Sequence, residues 1–230
     1  HADHAGGCAF LQEMTGCRVY ATEEEKIYSE NPFLSPTYIT GGYPPHEMQN
    51  PFFLARKYKA EDIRELMLPD GLELIELPGH NFHMVGVRTD DDVVFLADSI
   101  FSMHMLRKYH INFMFDVPAF SRTLDEIGKM QAALFIPAHA EPQTDIRPLA
   151  VANKEKIDEI AKNIINFCEH PITYDELIRK LFDEYGRRLD MQQYYLVGFT
   201  IRSYLSWLKS KGSIQTLFED NMLCWRSWHA

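Results

Sequence analysis

The chain has 230 residues, of which 46% are hydrophobic and 24% are charged, a balance typical of folded globular proteins and not of disordered ones. It contains no apolar run near the roughly 20 residues that span a bilayer and no secretory signal pattern, so we expect a soluble protein. The formal net charge of -10 argues against a general nucleic-acid-binding surface, because such surfaces are usually basic.

Strands and helices mix through the first 140 residues, which predicts an α/β fold. Residues 31–51 are rich in Pro, Gly, Tyr and Asn and predict a long surface loop of the kind that often covers a site. Helical patterns cover residues 60–67 and 121–132. The predicted strands occupy residues 18–21, 72–77, 83–87, 93–97 and 133–137.

The last third of the chain predicts helices followed by a hairpin. A long amphipathic helix is expected over residues 149–168. A new helix should begin after Thr173, because Glu176 occupies the capping-box position and Ile172 and Leu177 are placed as a hydrophobic staple. Another helix is expected over residues 193–209, and residues 213–218 and 222–226 form a predicted hairpin. This order of elements resembles a winged-helix module.

Charge also changes along the chain. Residues 170–230 contain eight Lys and Arg against seven Asp and Glu, a net of +1, whereas the remaining residues contain 15 against 26, a net of -11. We therefore predict two domains, residues 1–169 and residues 170–230, the second being the winged-helix-like one.

Four short segments end an apolar run with polar residues of ligand type. Such a residue is costly to bury unless it is paired or coordinates a metal. In an extended loop His1 and Asp3 would share one side while His4 points elsewhere, so one stretch could serve two adjacent metals. The segments are HADHAGG at 1–7, LPGH at 77–80, FLADS at 95–99 and IPAH at 136–139.

These segments resemble, in order and approximate spacing, the signature of the metallo-β-lactamase superfamily. That signature is His-x-His-x-Asp-His, a Pro-Gly-His turn, an Asp after a strand and a final His after a strand. The resemblance implies an αββα sandwich and makes His1 the second histidine of the first motif. Its first histidine would lie two positions earlier, so we expect the sequence to begin inside a domain whose natural start is missing.

The resemblance also implies a ligand set for two metal ions. His1 and His80 would bind one metal together with the earlier histidine, and Asp3, His4 and His139 would bind the other. Asp98 would bridge the two. His83 departs from the family pattern and receives no metal role. The histidines at positions 46, 104, 110, 170 and 229 fit no ligand position, with His46 kept as a weak candidate for substrate contact.

Ligands that are only His and Asp suit zinc, and also iron, manganese or cobalt. The four cysteines, at positions 8, 17, 168 and 224, are too scattered for a zinc ribbon or a redox motif, and a reduced cytoplasm is the predicted compartment. Two metals about 3.5–4 Å apart would lower the pKa of a water between them towards about 7 and generate a hydroxide nucleophile. Asp98 would hold the pair together and Asp3 would orient the hydroxide, so both are predicted to be catalytic.

The sequence restricts the class of substrate less than it restricts the set of metal ligands. Asp98 stands where many true β-lactamases of this fold have Cys, and the distance along the chain from Asp98 to His139 is too short for the extra domain of the RNA-processing branch. What remains is hydrolysis of a small ester, thioester or lactone.

The winged-helix-like tail, residues 170–230, keeps two alternatives open. One is a metal-dependent endoribonuclease, and the other is a nucleic-acid-binding or regulatory protein with a hydrolase-fold sensor. No membrane partner is expected, and a homodimer is left open. The basic residues that could meet phosphates are Arg187, Arg188, Arg202, Lys209 and Lys211.

Overall fold

The computed structural model describes residues 2–228, and these residues form two compact units that meet in sequence between Leu72 and Glu73. In the first unit the two short strands pair in parallel, Tyr20 opposite Glu61. The elements of this unit are α1 (Ala2–Ala5), α2 (Cys8–Thr15), β1 (Tyr20–Ala21), α3 (Glu23–Glu30), α4 (Leu34–Thr40), β2 (Glu61–Asp62) and 3-10 turns at His46–Met48 and Ile63–Glu65.

Three sequence-based expectations for this unit are wrong. Residues 2–5 form a helical turn and not an extended loop. The predicted loop at 31–51 contains α4, which Gly41 ends with a left-handed φ of 71°. The predicted helix at 60–67 is instead β2 and a single 3-10 turn, because the Asp62 side chain accepts a hydrogen bond from the Arg64 amide and the chain becomes extended again at Leu66.

The second unit is built on a four-stranded sheet of order β3-β4-β5-β6. β4 and β5 are antiparallel, and β5 and β6 are parallel. Buried and accessible residues alternate along β5, which is the pattern of a strand with one face in the core. The strands are β3 (Leu72–Glu76), β4 (Val85–Thr89), β5 (Val93–Ala97) and β6 (Leu134–Pro137), and the helices are α5 (Met103–Lys108), α6 (Val117–Ile127) and α7 (Arg147–Phe167). The mixed α/β class and the predicted strands of this sheet are confirmed.

The tail continues with β7 (Ile172–Thr173), α8 (Tyr174–Glu184), α9 (Met191–Ser210), β8 (Ile214–Glu219) and β9 (Met222–Ser227). The capping box predicted at the start of α8 is present, with the Thr173 hydroxyl and the Glu176 carboxylate bonded reciprocally to backbone amides. β8 and β9 form the predicted hairpin, and β7 joins β9 to complete a three-stranded sheet. The helix, helix and hairpin order is therefore confirmed, and the winged-helix assignment stays a prediction.

A single apolar core runs through the second unit on both sides of residue 170. Ile157 and Ile164 of α7 are 3% and 0% exposed, and Leu181 of α8 and Ile201 of α9 are both fully buried. The boundary between residues 169 and 170 is not tested by this packing and remains a prediction. Among the described residues, no helix is long and apolar enough to cross a membrane.

Candidate metal centre

Asp98 lies between two histidines. The His80 Nε2 atom is 3.3 Å from one oxygen of the Asp98 carboxylate, and the His139 Nε2 atom is 3.2 Å from the other. His80 and Asp98 are 4% and 3% exposed, whereas the His139 side chain is 38% exposed. Three of the predicted ligands, far apart in sequence, therefore meet around one carboxylate.

The sheet topology brings Asp98 and His139 together. Because β5 and β6 are parallel neighbours, the residues that follow them emerge at the same edge of the sheet. The Ala138 amide donates a 2.9 Å hydrogen bond to the Ala97 carbonyl oxygen, which joins the two loops directly. Ala97 has a φ of 47° and follows an irregularity in the strand register. Such backbone conformations are common at functional sites. Here the positive φ and the register irregularity change the direction of the chain just before Asp98.

His80 is held by a tightly packed turn. Gly79 has a φ of 124°, and a Cβ atom there would lie 2.2 Å from the Phe120 backbone nitrogen, so only glycine fits. The Thr123 hydroxyl of α6 donates a 2.7 Å hydrogen bond to the Pro78 carbonyl oxygen. The Gly79 carbonyl oxygen accepts hydrogen bonds from the amides of Phe115 and Asp116, both at 3.0 Å.

The segment after Asp98 is fixed by a buried amide on α7. The Asn153 side chain, 2% exposed, accepts a 3.0 Å hydrogen bond from the Phe101 amide and donates a 2.8 Å bond to the Phe101 carbonyl oxygen. Its side-chain nitrogen also donates to the Leu149 carbonyl oxygen. Sequence reasoning missed this role, because a lone Asn within an amphipathic helix gives no signal of which distant backbone it reaches.

Two phenylalanine rings lie next to His80. The His80 ring lies 5.3 Å from Phe113, edge to face, and 6.0 Å from Phe101. Phe113 in turn stacks on Phe199 of α9, with ring centroids 4.9 Å apart and planes at 16°. The surroundings of His80 are thereby connected to the tail of the chain, which the sequence did not predict.

α9 also holds the backbone of the loop that carries Phe113. The Thr200 hydroxyl accepts a 3.0 Å hydrogen bond from the Met114 amide and donates to the Asn112 carbonyl oxygen. The Ser203 hydroxyl donates a 2.6 Å bond to the Phe115 carbonyl oxygen. Side chains of the tail thus fix a loop whose amides bond to the turn that carries His80.

The remaining predicted ligands belong to the first unit. Asp3 and His4 lie on α1, with the His4 Nε2 atom 3.5 Å from an Asp3 carboxylate oxygen. His1 lies outside the described residues. That Asp3 and His4 join the three ligands of the second unit is therefore carried forward as a proposal.

The histidines that were given no ligand role are exposed, lie outside the described residues or have other contacts. His46, His104 and His170 are exposed, while His229 is outside the described residues. His110 stacks on Tyr185 with ring centroids 4.4 Å apart. Burial, followed by the nearby Lys156 and Arg187 cations, lowers the pKa of His110.

The residues around Asp98 fit a divalent metal. Two donor atoms bound to one zinc ion at about 2.1 Å and a tetrahedral angle lie about 3.4 Å apart. The distances of 3.3 and 3.2 Å between imidazole nitrogens and carboxylate oxygens match that spacing. Since each Asp98 oxygen faces a histidine nitrogen, these residues could hold a divalent metal, which would balance the buried charge of the carboxylate.

The comparisons with known proteins agree with this fold. The family model of the metallo-beta-lactamase superfamily matches residues 1–139, which contain all the predicted ligands. No curated protein matches the chain. A metallo-beta-lactamase family protein from Thermus thermophilus has a similar structure, with a TM-score of 0.68, 20% identity, and coverage of 97% of this chain and 75% of that one. A beta-lactamase domain protein from Burkholderia ambifaria gives a TM-score of 0.62 with 14% identity, covering 92% of this chain and 65% of that one.

The fold is that of metallo-beta-lactamase proteins. The chain belongs to the metallo-beta-lactamase superfamily. Members of this superfamily are mostly hydrolytic enzymes that bind metal ions, which supports a metal-dependent hydrolase in general.

Proposed function

We propose that this chain hydrolyses a small ester, thioester or lactone with two divalent metal ions, zinc in the first instance and iron or manganese as the alternatives. The observation that carries the proposal is Asp98, a buried carboxylate with each oxygen facing a different histidine nitrogen. The family match over residues 1–139 supports adding the N-terminal ligands to this set. The proposed metal ligands are His1, Asp3, His4, His80, Asp98 and His139.

Each protein group has a defined task in this proposal. When bound, the metals supply a hydroxide nucleophile at neutral pH and polarise the attacked carbonyl oxygen. The Asp98 carboxylate would hold the metals together, and the Asp3 carboxylate would orient the nucleophile. His80 and His139 would bind the metals through imidazole nitrogens. No serine or cysteine nucleophile is required.

The charges of the chain favour a small substrate over a polyanion. Residues 1–169 carry a net charge of -11, which opposes the approach of RNA. Three basic residues of the tail contact neighbouring side chains. Arg202 lies 4.2 Å from the Tyr174 ring, and Lys211 lies 4.7 Å from the Trp207 ring. Lys209 donates a hydrogen bond to Thr216.

The Asp98→Asn variant tests the proposal. It keeps the shape of the side chain and removes the charge that two cations require, so we expect fewer than two metals per chain and at least about 100-fold lower hydrolysis of p-nitrophenyl acetate. Elemental analysis and ester turnover measure the two effects. The matched control is Asp125→Asn, which changes an aspartate that pairs with Lys154 away from the site and should leave both values unchanged. Normal metal content with full activity in Asp98→Asn would refute the assignment.

The same proteins decide between the ester and the nuclease functions. We expect single-stranded RNA to remain intact at moderate salt. RNA cleavage that is lost in Asp98→Asn and weakens as salt rises, together with an inert ester, would replace the small-molecule proposal by the nuclease. RNA binding without any hydrolysis would favour the regulatory alternative.

A further inference from the structure

A row of phenylalanine rings extends from His80 onto the tail. Phe113 lies against His80 and stacks on Phe199. Phe115 lies 6.4 Å from Phe199, and Phe82 lies 4.4 Å from Phe115. Phe82, Phe113, Phe115 and Phe199 are all partly exposed. We call these four residues the phenylalanine wall.

The wall differs from the core beneath it. Core phenylalanines of the same unit, Phe120 and Phe135, are 1% and 2% exposed. The four rings of the wall keep some accessible surface, and one of them, Phe113, lies against the candidate metal ligand His80. Four partly exposed phenylalanines in one row form an apolar surface, which in a soluble enzyme marks a place where apolar groups bind.

The wall is also held rigidly. Its Phe113 and Phe115 rings sit on a loop that Thr200 and Ser203 fix by hydrogen bonds, and Phe82 follows the turn that carries His80. Rings that are fixed before a ligand arrives bind it without a large loss of side-chain entropy. The position of the wall beside His80 means that a substrate whose reacting carbonyl is at the metal site could lay an adjoining chain along the rings.

We infer that the phenylalanine wall binds the acyl chain of the substrate, so that the enzyme is selective for esters or thioesters of medium-length apolar acids, with Phe199 of the tail as a specificity-determining residue. This inference rests on the proposed hydrolase function and narrows its substrate class. The tail then has a role in the enzyme itself, supplying one ring of the wall and the hydroxyls that hold two more.

The test compares p-nitrophenyl octanoate with p-nitrophenyl acetate. The wild-type protein should prefer the octanoyl ester in kcat/KM by about tenfold or more, since each buried methylene adds a favourable contribution. Phe199→Ala should remove most of this preference through a higher KM for the octanoyl ester, so that the kcat/KM values of the two esters become similar. Phe199→Leu, which keeps an apolar side chain, should retain much of the preference.

Phe218→Ala is the matched control, because Phe218 lies on the hairpin, is 76% exposed and is not part of the wall. Its kinetics should equal those of the wild type. Equal preference for the octanoyl ester in wild type, Phe199→Ala and Phe199→Leu would overturn the inference while leaving the hydrolase function intact.

Direct binding keeps the inference testable if neither ester is hydrolysed, which would refute the proposed function. Calorimetry with octanoate and acetate should then show tighter binding of octanoate, with a negative heat-capacity change that Phe199→Ala diminishes. No difference between the two acids, or none between the proteins, would overturn the wall as an acyl-binding surface.

Discussion

Gly79 shows at the residue scale how tightly the site is built. A side chain at this position would have to occupy the space of the Phe120 backbone, 2.2 Å away, and would also adopt a φ of 124°. We expect Gly79→Ala to lower the free energy of unfolding on the order of 3 kcal/mol through overpacking and backbone strain, and to reduce metal content because His80 is the next residue. Urea unfolding and elemental analysis measure the two effects.

Gly42→Ala is the control for this change, since nothing lies within 4 Å of a Cβ atom there and its φ is not positive. It should alter stability by less than about 0.5 kcal/mol. A Gly79→Ala protein as stable as Gly42→Ala, with full metal content, would contradict the packing described for the turn.

The residues of the site were only partly accessible to sequence reasoning. The structure brings His80, Asp98 and His139 together, and the sequence indicated them as candidates because each follows an apolar run in a short motif. Their role as metal ligands stays a prediction. Phe113 and Phe199 could not be predicted, because their stacking depends on the path of a loop and on the rotation of a helix much later in the chain. The orientation proposed for His1, Asp3 and His4 assumed an extended backbone, whereas residues 2–5 are helical.

At the scale of secondary-structure elements, the Asn153 side chain of α7 holds the backbone of Phe101, in the segment that follows Asp98. Asn153→Ala would leave the buried backbone groups of Phe101 without their partners, at a cost of about 1–3 kcal/mol, and would loosen the segment that follows Asp98. We expect lower stability together with weaker metal retention, measured by urea unfolding and by competition with a chelator.

Thr173→Ala provides the comparison, because it removes a capping box at the start of α8 and no contact near Asp98. It should cost about 1 kcal/mol and leave metal retention at the wild-type level. Equal loss of metal in both variants would mean that global stability, and not the Asn153 contact, controls retention.

Helices and strands were predicted correctly where a strong local sequence pattern marked their ends. The start of α8 has a capping box and a staple within six residues, and the hairpin of β8 and β9 is marked by the turn at Asp220 and Asn221, both with positive φ. The predicted helix over 60–67 failed because its pattern was short and the segment pairs with β1, a strand far earlier in the chain. Such pairing overrides local helical preference.

At the scale of the whole second unit, the continuous core predicts cooperative unfolding. All three tryptophans, Trp207, Trp225 and Trp228, lie in the tail, so their fluorescence reports the tail, while metal release reports the site. We expect both signals to change at the same temperature, as they would in one two-state unit. An indicator dye for the metal and intrinsic fluorescence can be followed in a single sample. A fluorescence transition that precedes metal release would show that residues 170–230 unfold separately, as the sequence-based domain boundary implies.

The paired hydrogen bonds from the Phe115 and Asp116 amides to the Gly79 carbonyl oxygen have a consequence for exchange with solvent. Neither amide can exchange with water until the loop separates from the turn that carries His80. That separation would also remove the hydrogen bonds that hold His80, a candidate metal ligand, in place. Amide hydrogen exchange at these two positions should therefore follow the same opening event that lets an ion escape. Well below the melting temperature, the lifetime of a bound ion would then be limited by this local opening of the backbone.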